Sequence, residues 1–151
     1  MQTGIGQGKT QVTPIHMTLI TAAIANDGVL MKPYVVSAVE NNNQDVIKSY
    51  SAQEYKRLLS ETDAKQMQTL MAEVVQSGTA TRVKDTVGYV AAGKTGSAEY
   101  SSDKTESHAW FTGFAPVSDP EIAVTVVLEG AGSGGEYAVP IAKRIFDAYF
   151  N

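Results

Sequence analysis

The sequence contains no cysteine among its 151 residues, which excludes a disulfide scaffold and any metal site built from thiolates. Long apolar runs are also missing, because none approaches the roughly 20 residues that a membrane-spanning helix requires. Basic residues are outnumbered, with 12 lysines and arginines against 16 aspartates and glutamates. Without a basic surface or a polybasic run, the chain is not expected to bind nucleic acid or anionic lipid.

The remaining composition is that of a globular domain. Hydrophobic residues make up 43% of the chain and charged residues 19%, which is typical of a protein with its own core. Met1 is followed at once by a glycine-rich stretch, and not by a signal peptide. We therefore expect residues 1–151 to be a fragment of a larger protein.

Local signals predict three main helices. Thr13-Pro14 combines a capping hydroxyl with proline at the first helical position, and Asn26-Asp27-Gly28 supplies a stop. Ser60 with Asp63 resembles a capping box for a second helix, and Pro140 begins a third. We expect the apolar stripe of the second helix to lie in the core; its members are Ala64, Met67, Leu70, Met71, Val74 and Val75.

Two groups of strands are predicted around these helices. Val29–Val39 and Val46–Tyr50 are β-rich and flank a turn, which indicates a small hairpin. A later strand is expected to begin at Tyr89–Ala92 and to be followed by Ala109–Ala115 and Ile122–Glu129. The sequence thus predicts an α+β fold in which a three-stranded antiparallel meander is packed by helices.

The most informative run is Lys94-Thr95-Gly96, followed directly by Ser97. One ammonium group and two hydroxyls suit a carboxylate or phosphate. Gly96 has no Cβ, so a ligand can approach the backbone closely. These residues predict an anion-binding site.

Two interpretations of this run remain open on spacing alone. Lys-Thr-Gly is one signature of the serine acyl enzymes that include the β-lactamases and penicillin-binding proteins. Gly88, four residues, then Gly93-Lys94-Thr95 also fits a nucleotide-binding phosphate loop, for which Ile122–Glu129 could serve as the metal-coordinating strand. No apolar positions at helical spacing follow Thr95, which favours the first interpretation. Gly130–Gly135 is interpreted as a flexible connection and not as a phosphate cradle.

The order of several short segments is similar to that of class B penicillin-binding proteins, and the resemblance covers essentially the whole chain. Those segments are Gly4-Ile-Gly-Gln-Gly8, Thr13-Pro14, Ala25–Gly28, Gly78-Thr79-Ala80, Ala92–Ser97, Ala109–Pro116 and Ala138-Val-Pro140. The resemblance implies the C-terminal part of a D,D-transpeptidase domain, with the penicillin-binding protein and serine β-lactamase-like fold. Such an enzyme cross-links peptidoglycan stem peptides and is acylated by β-lactams.

The resemblance also implies roles for the central run. Lys94 would be the catalytic cation on the strand that lines the cleft, and Thr95 and Ser97 would hydrogen-bond the carboxylate of a substrate or penicillin. Gly96 would keep the strand clear of the ligand, and the backbone N–H of Ser97 would be one of two oxyanion-hole donors. The family more often has threonine where this chain has Ser97. No cofactor and no metal are implied.

Two further signatures of these enzymes bear on activity. The only Ser-x-x-Lys of the chain is Ser101–Lys104, in a polar stretch after Lys94, and Ser-x-Asn does not occur. We expect no nucleophile in this chain and therefore no activity from it alone. A non-catalytic binding domain on the same scaffold remains an alternative.

The resemblance finally implies partners and a location. The parent protein would bind stem peptides and β-lactams at the extracytoplasmic face of the bacterial membrane, with its anchor outside this chain. The fragment itself would be soluble. Because Ile122–Glu129 is apolar and would lose a neighbouring strand in a fragment, we expect a homodimer through this edge.

Overall fold

The computed structural model of the protein describes residues 10–84, 88–100 and 107–151. Its helices are α1 (Pro14–Ala25), α2 (Glu61–Gln76) and α3 (Val139–Phe150). Its strands are β1 (Val29–Met31), β2 (Ala38–Glu40), β3 (Val46–Ser49), β4 (Glu54–Arg57), β5 (Ala92–Glu99), β6 (Ser107–Ala115) and β7 (Ile122–Leu128). A 3₁₀ turn lies at Thr81–Val83 and a π-helical turn at Gly134–Ala138.

The predicted caps begin α1 and α2. The Thr13 hydroxyl accepts a hydrogen bond from the His16 backbone N–H at 3.3 Å. The Ser60 hydroxyl accepts one from the Asp63 N–H at 3.1 Å. Each bond satisfies a backbone donor that the first helical turn leaves without an intrahelical partner.

Gly28 turns the chain from α1 into the first small sheet. Its φ of +86° lies in the left-handed region, and a Cβ at this position would lie 2.4 Å from the Leu59 carbonyl oxygen. The segment predicted as one extended stretch over Val29–Val39 is divided between two sheets: β1 pairs antiparallel with β4, and only β2, at its end, forms the predicted hairpin with β3. The pairing of β1 with β4 was not predicted from the sequence.

The apolar stripe of α2 is only partly buried. Ala64, Met71 and Val75 lie in the core, as predicted. The prediction was wrong for Met67 and Leu70, which are 40% and 62% exposed. These two side chains line an open groove between α1 and α2.

The meander predicted from the sequence is present. β5, β6 and β7 form one antiparallel sheet in that order, and Lys94, Thr112 and Thr125 occupy the same row across it. β5 begins at Ala92 and not at Tyr89, so the predicted strand start was wrong. The reason is that Tyr89 turns toward α3, where its ring stacks on Phe150 at 4.7 Å.

The core lies between one face of this sheet and α3. Phe111 is fully buried there with Ala142 and Phe146 of α3, which confirms that the last helix covers the meander. A Cβ at Gly93 would lie 2.4 Å from the Phe111 ring, and one at Gly113 would lie 2.7 Å from it. The two glycines therefore leave the space that this ring fills. Within the described ranges, no helix combines the length and apolar character needed to cross a bilayer.

A small polar cluster joins the segment before β5 to α3. The Tyr89 hydroxyl donates to Asp147 at 2.8 Å, and Lys143 forms an ion pair with the same carboxylate at 2.8 Å. Hydrogen bonding from Lys143 and then from Tyr89 lowers the pKa of Asp147 below its ordinary value of 3.8. Burial, and then the bond to Asp147, raises the pKa of the Tyr89 phenol.

The lowered pKa of Asp147 predicts a pH dependence of stability. A carboxylate with a depressed folded-state pKa stabilises the fold above its unfolded value, and this contribution is lost as the pH falls through the folded value. Asp147→Asn should lower the free energy of unfolding at pH 7 by under about 1 kcal/mol. The difference from wild type should shrink below pH 3.8. Urea unfolding at pH 7 and pH 3 measures it.

The Tyr89→Phe variant serves as the partner measurement for this cluster. It keeps the ring contact with Phe150 and removes the hydroxyl donor, so it should reduce the pH dependence without abolishing it. An Asp147→Asn difference that is the same at both pH values would contradict the assigned role of the carboxylate.

Candidate functional site

The four central residues lie on a strand at the edge of the sheet. β5 pairs with β6 on one side, and no described strand pairs with its other side. Because side chains alternate along a strand, Lys94 and Gly96 face one way and Thr95 and Ser97 the other. Lys94 and Ser97 are exposed, and Thr95 and Gly96 are half-buried. All four are therefore accessible from the edge.

Lys94 faces the groove between α1 and α2. This groove has a volume of about 550 Å³, its lining is mostly apolar, and Lys94 and Thr112 lie side by side within it. The Lys94 Nζ donates to the Thr95 carbonyl oxygen at 2.8 Å. An ammonium group beside apolar surface is screened less by water than one in bulk solvent, so its attraction for an anion is stronger there.

A row of hydroxyls fixes the sheet beneath Lys94. The Thr112 hydroxyl lies 2.6 Å from that of Thr21 and 2.8 Å from that of Thr125. Thr21 belongs to α1 and is only 1% exposed. These bonds hold α1 against the middle of β6 and β7, and thereby set one wall of the groove that Lys94 faces.

Thr95 contacts the hydroxyl of Thr79, which was not predicted as a site residue. The Thr79 and Thr95 hydroxyl oxygens are 2.5 Å apart. Thr79 follows the end of α2, where a Cβ at Gly78 would lie 2.8 Å from the Cα of Val74. In the sequence, the segment Gly78-Thr79-Ala80 carries only a resemblance to the family and no predicted contact with β5. The structure adds its hydroxyl to the site.

Ser97 lies under the π-helical turn. The Gly134 backbone N–H donates to the Ser97 hydroxyl oxygen at 3.3 Å. The prediction of a flexible loop over Gly130–Gly135 was therefore wrong at its end, because Gly134 and Gly135 begin this turn. On the other face of β5, a Cβ at Gly96 would lie 3.3 Å from that of Trp110. Trp110 therefore leaves little room for a side chain at position 96, although the Gly96 backbone is accessible at the edge of the sheet.

The phosphate-loop interpretation of Gly88–Thr95 is wrong. In such a loop the lysine and the following hydroxyl residue lie where a helix begins, and the phosphate binds to the helix N-terminus. Lys94 and Thr95 instead lie in the interior of strand β5. The backbone there pairs with β6 from Ala92 to Glu99 and cannot wrap around a phosphate.

Some sequence features cannot be placed in this site. The Gly4–Gly8 segment and the Ser101–Lys104 pattern lie outside the described residues. Among the residues that the structure does describe, no group of three or more histidine, cysteine, aspartate or glutamate side chains could hold a metal ion. The candidate site consists of the hydroxyls, backbone and ammonium of β5, with Thr79 and the π-helical turn beside them.

Comparison with known protein families gives a match over nearly the whole chain. Residues 1–147 match the family described as "Transpeptidase: Penicillin binding protein transpeptidase domain". The peptidoglycan D,D-transpeptidase PbpA of Mycolicibacterium smegmatis is 34% identical over 152 residues, which cover 95% of this chain and 30% of the relative. The peptidoglycan D,D-transpeptidase MrdA of Haemophilus influenzae is 31% identical, over 98% of this chain and 25% of the relative.

Solved structures show the same fold. The ceftriaxone acyl-enzyme complex of penicillin-binding protein A from M. tuberculosis superposes with a TM-score of 0.92 at 31% identity, over 99% of this chain and 35% of that one. The penicillin G acyl-enzyme complex of the same protein gives 0.88 at 30% identity, over 99% and 34%. The chain spans about a third or less of the length of the relatives it matches.

Proposed function

Because the chain belongs to the penicillin binding protein transpeptidase domain family, we propose that it supplies one wall of a peptidoglycan D,D-transpeptidase site. Residues 1–151 form part of the transpeptidase domain in this proposal. Their ligand is the carboxylate of a peptidoglycan stem peptide or of a β-lactam. The observation that carries the proposal is the edge strand β5, which presents Lys94 on one face and Thr95 and Ser97 on the other, all at the edge with which no described strand pairs.

The chemistry of the wall follows from these groups. The Lys94 ammonium attracts the ligand carboxylate, and the Thr95 and Ser97 hydroxyls donate hydrogen bonds to it. Thr79 supports this arrangement because its hydroxyl is in contact with that of Thr95. Gly96 leaves the middle of the strand open, so the ligand can lie along the backbone.

The strand also stabilises the transition state in this proposal. Acyl transfer places negative charge on the carbonyl oxygen that is attacked, and the backbone N–H of Ser97 is one of two donors to that oxygen. Removing one such donor in an acyl-transfer enzyme lowers the rate by about 10²- to 10³-fold. The Lys94 charge lowers the cost of the same anionic state through the field in the groove.

The proposal assigns no nucleophile to this chain. A serine nucleophile needs a base held within hydrogen-bond reach, and Ser101–Lys104 is the only Ser-x-x-Lys in the sequence. We propose that this chain alone binds a β-lactam reversibly and forms no acyl-enzyme. The extracytoplasmic face of the bacterial membrane, where peptidoglycan is built, is the proposed location of the parent protein.

Nuclear magnetic resonance titration with penicillin G tests the proposal. Amide shifts should change along β5 and at Thr79, and mass spectrometry after incubation should detect no covalent adduct. ATP with Mg²⁺ is the control, because a nucleotide should leave the β5 amides unchanged. Penicillin shifts confined to regions away from β5 would contradict the assigned wall, and an adduct on Ser101 would contradict the assignment of no nucleophile.

A second proposal concerns the far edge of the sheet. β7 pairs with β6 on one side, no described strand pairs with its other side, and its sequence Ile-Ala-Val-Thr-Val-Val-Leu contains no charge. Such an edge is a template for another strand. We propose that two copies of this chain pair through β7.

If two copies pair through β7, the average molecular mass of the protein in solution should rise with its concentration. Sedimentation should show a shift from monomer to dimer as the concentration rises, and hydrogen exchange should slow at β7 amides over the same range. Amides of the β2–β3 hairpin are the internal control and should exchange at a constant rate. A monomer at all concentrations, or slowing only in the hairpin, would rule out pairing through β7.

A further inference from the structure

We propose that Gly134 is a positioning residue, which sets the Ser97 hydroxyl and the Gly96–Ser97 backbone for binding a carboxylate. The inference rests on the proposed function of β5 and extends it to the π-helical turn Gly134–Ala138. No side chain is involved at Gly134, so its action is carried by its backbone N–H and by the space its missing Cβ leaves.

The first observation is the contact between the turn and β5. The Gly134 N–H donates to the Ser97 hydroxyl oxygen at 3.3 Å. A Cβ on Gly134 would lie 2.4 Å from the Gly96 carbonyl oxygen and 2.3 Å from that of Trp110. Backbone atoms of two paired strands cannot give way as the end of a flexible side chain can. Any larger residue must therefore lift the turn from β5 or displace the Gly96–Ser97 backbone.

The second observation is how firmly the turn is held. The Arg82 guanidinium donates to the Glu136 carbonyl oxygen at 2.9 Å, which ties the turn to the segment after α2. Upstream, Ser107 and Gly132 exchange two hydrogen bonds, with the Gly132 N–H donating at 2.9 Å and the Ser107 hydroxyl donating at 3.0 Å. The turn is thus fixed on both sides of the point where it contacts Ser97.

The third observation links the turn to the other hydroxyls. A Cβ at Gly135 would lie 2.6 Å from the Thr79 carbonyl oxygen, and the Thr79 hydroxyl contacts that of Thr95. The two adjacent glycines therefore allow the turn to lie against Thr79 and Ser97 at once. The turn therefore fixes the positions of Ser97, directly, and of Thr95, through Thr79.

The Gly134→Ala variant tests the inference with two measurements. In the unliganded protein, the side-chain coupling constants of Ser97 should report one rotamer in wild type and averaging in the variant. In binding, the variant should lose affinity for penicillin G about tenfold, the size expected for one hydrogen bond to a charged group. Its affinity for the neutral methyl ester of penicillin G should change less than about twofold, because the ester presents no carboxylate.

A double-mutant cycle separates positioning from a general loss of structure. If Gly134 acts through the Ser97 hydroxyl, Gly134→Ala added to Ser97→Ala should weaken penicillin G binding by less than about twofold further. Gly130→Asn is the control in the same loop, because its φ of +65° is tolerated by asparagine and a Cβ there would meet its nearest neighbour at 3.4 Å. This control should retain the wild-type preference for the acid over the ester.

Equal losses for the acid and the ester in Gly134→Ala, or an unchanged Ser97 rotamer, would overturn the positioning role alone. No preference for the acid in wild type would overturn the proposed function and this inference with it. If Gly134→Ala does not fold, Arg82→Met releases the same turn without added volume. That variant should lower the acid preference about threefold, and an unchanged preference there would overturn the inference.

Discussion

Replacing Lys94 by methionine is expected to lower the affinity for penicillin G about 10- to 100-fold, because a hydrogen bond to a charged group contributes about 1.5–3 kcal/mol. The stability of the fold should change little. Lys94 is exposed and lines a mostly apolar groove, where a methionine of similar length can lie against its neighbours. Isothermal titration of wild type and variant, with thermal unfolding of both, measures the two effects.

Lys56→Met is the matched control for this prediction. Lys56 is an exposed lysine on β4, so the variant loses the same charge on a different sheet from β5. Equal losses of affinity in both variants would mean that only net charge matters, and Lys94 would have no specific role. Binding by Lys94→Met should also be less sensitive to salt than binding by wild type, because the lost attraction is electrostatic.

Elements whose cause is local could be predicted from the sequence. The cap hydroxyls of Thr13 and Ser60 act within three residues of themselves, and both helices begin where these residues predict. Strand periodicity in β6 and β7 is a pattern of adjacent residues, which is why the meander was predicted with its strand order. Lys94 was placed on a strand for the same reason, since no helical spacing follows it.

Features with a distant cause could not be predicted. β4 has the sequence Glu-Tyr-Lys-Arg, with no apolar alternation, and is a strand because β1 pairs with it. Tyr89 leaves the strand because Asp147, 58 residues later, accepts a hydrogen bond from its hydroxyl. Position 134 requires a glycine because a Cβ there would overlap the carbonyl oxygens of Gly96 and Trp110. In each case the deciding partner is absent from the local sequence.

The two faces of β5 contact different parts of the protein. Substitutions on the two faces should therefore differ in their effects on ligand binding and on stability. Lys94 faces a groove, with the Thr21, Thr112 and Thr125 hydroxyl row beside it. Thr95 lies in register with Phe111, whose ring is fully buried on the other face. A change in the groove should therefore alter ligand binding, whereas a change at Phe111 should alter both stability and the geometry of Thr95.

Phe111→Ala is accordingly expected to produce the largest loss of stability, about 3–5 kcal/mol for a fully buried phenylalanine. The ring fills the space next to Gly93 and Gly113. Because these two neighbours have no side chains that could move into the space, the cavity left by the ring should remain largely open. β5 would lose the contact of Gly93 with the ring, one residue from Lys94 and two from Thr95, and affinity for penicillin G should fall as well. Urea unfolding of wild type and variant measures the first effect.

Two further variants determine whether the ring or the loss of volume is responsible. Tyr55→Ala removes an aromatic side chain that is 65% exposed on β4 and should cost under about 0.5 kcal/mol. Phe111→Leu fills part of the cavity and should recover a fraction of both the stability and the affinity. If Phe111→Ala costs no more than Tyr55→Ala, then Phe111 does not support the strand. The geometry of Thr95 would in that case have to be set by Thr79 and the π-helical turn alone.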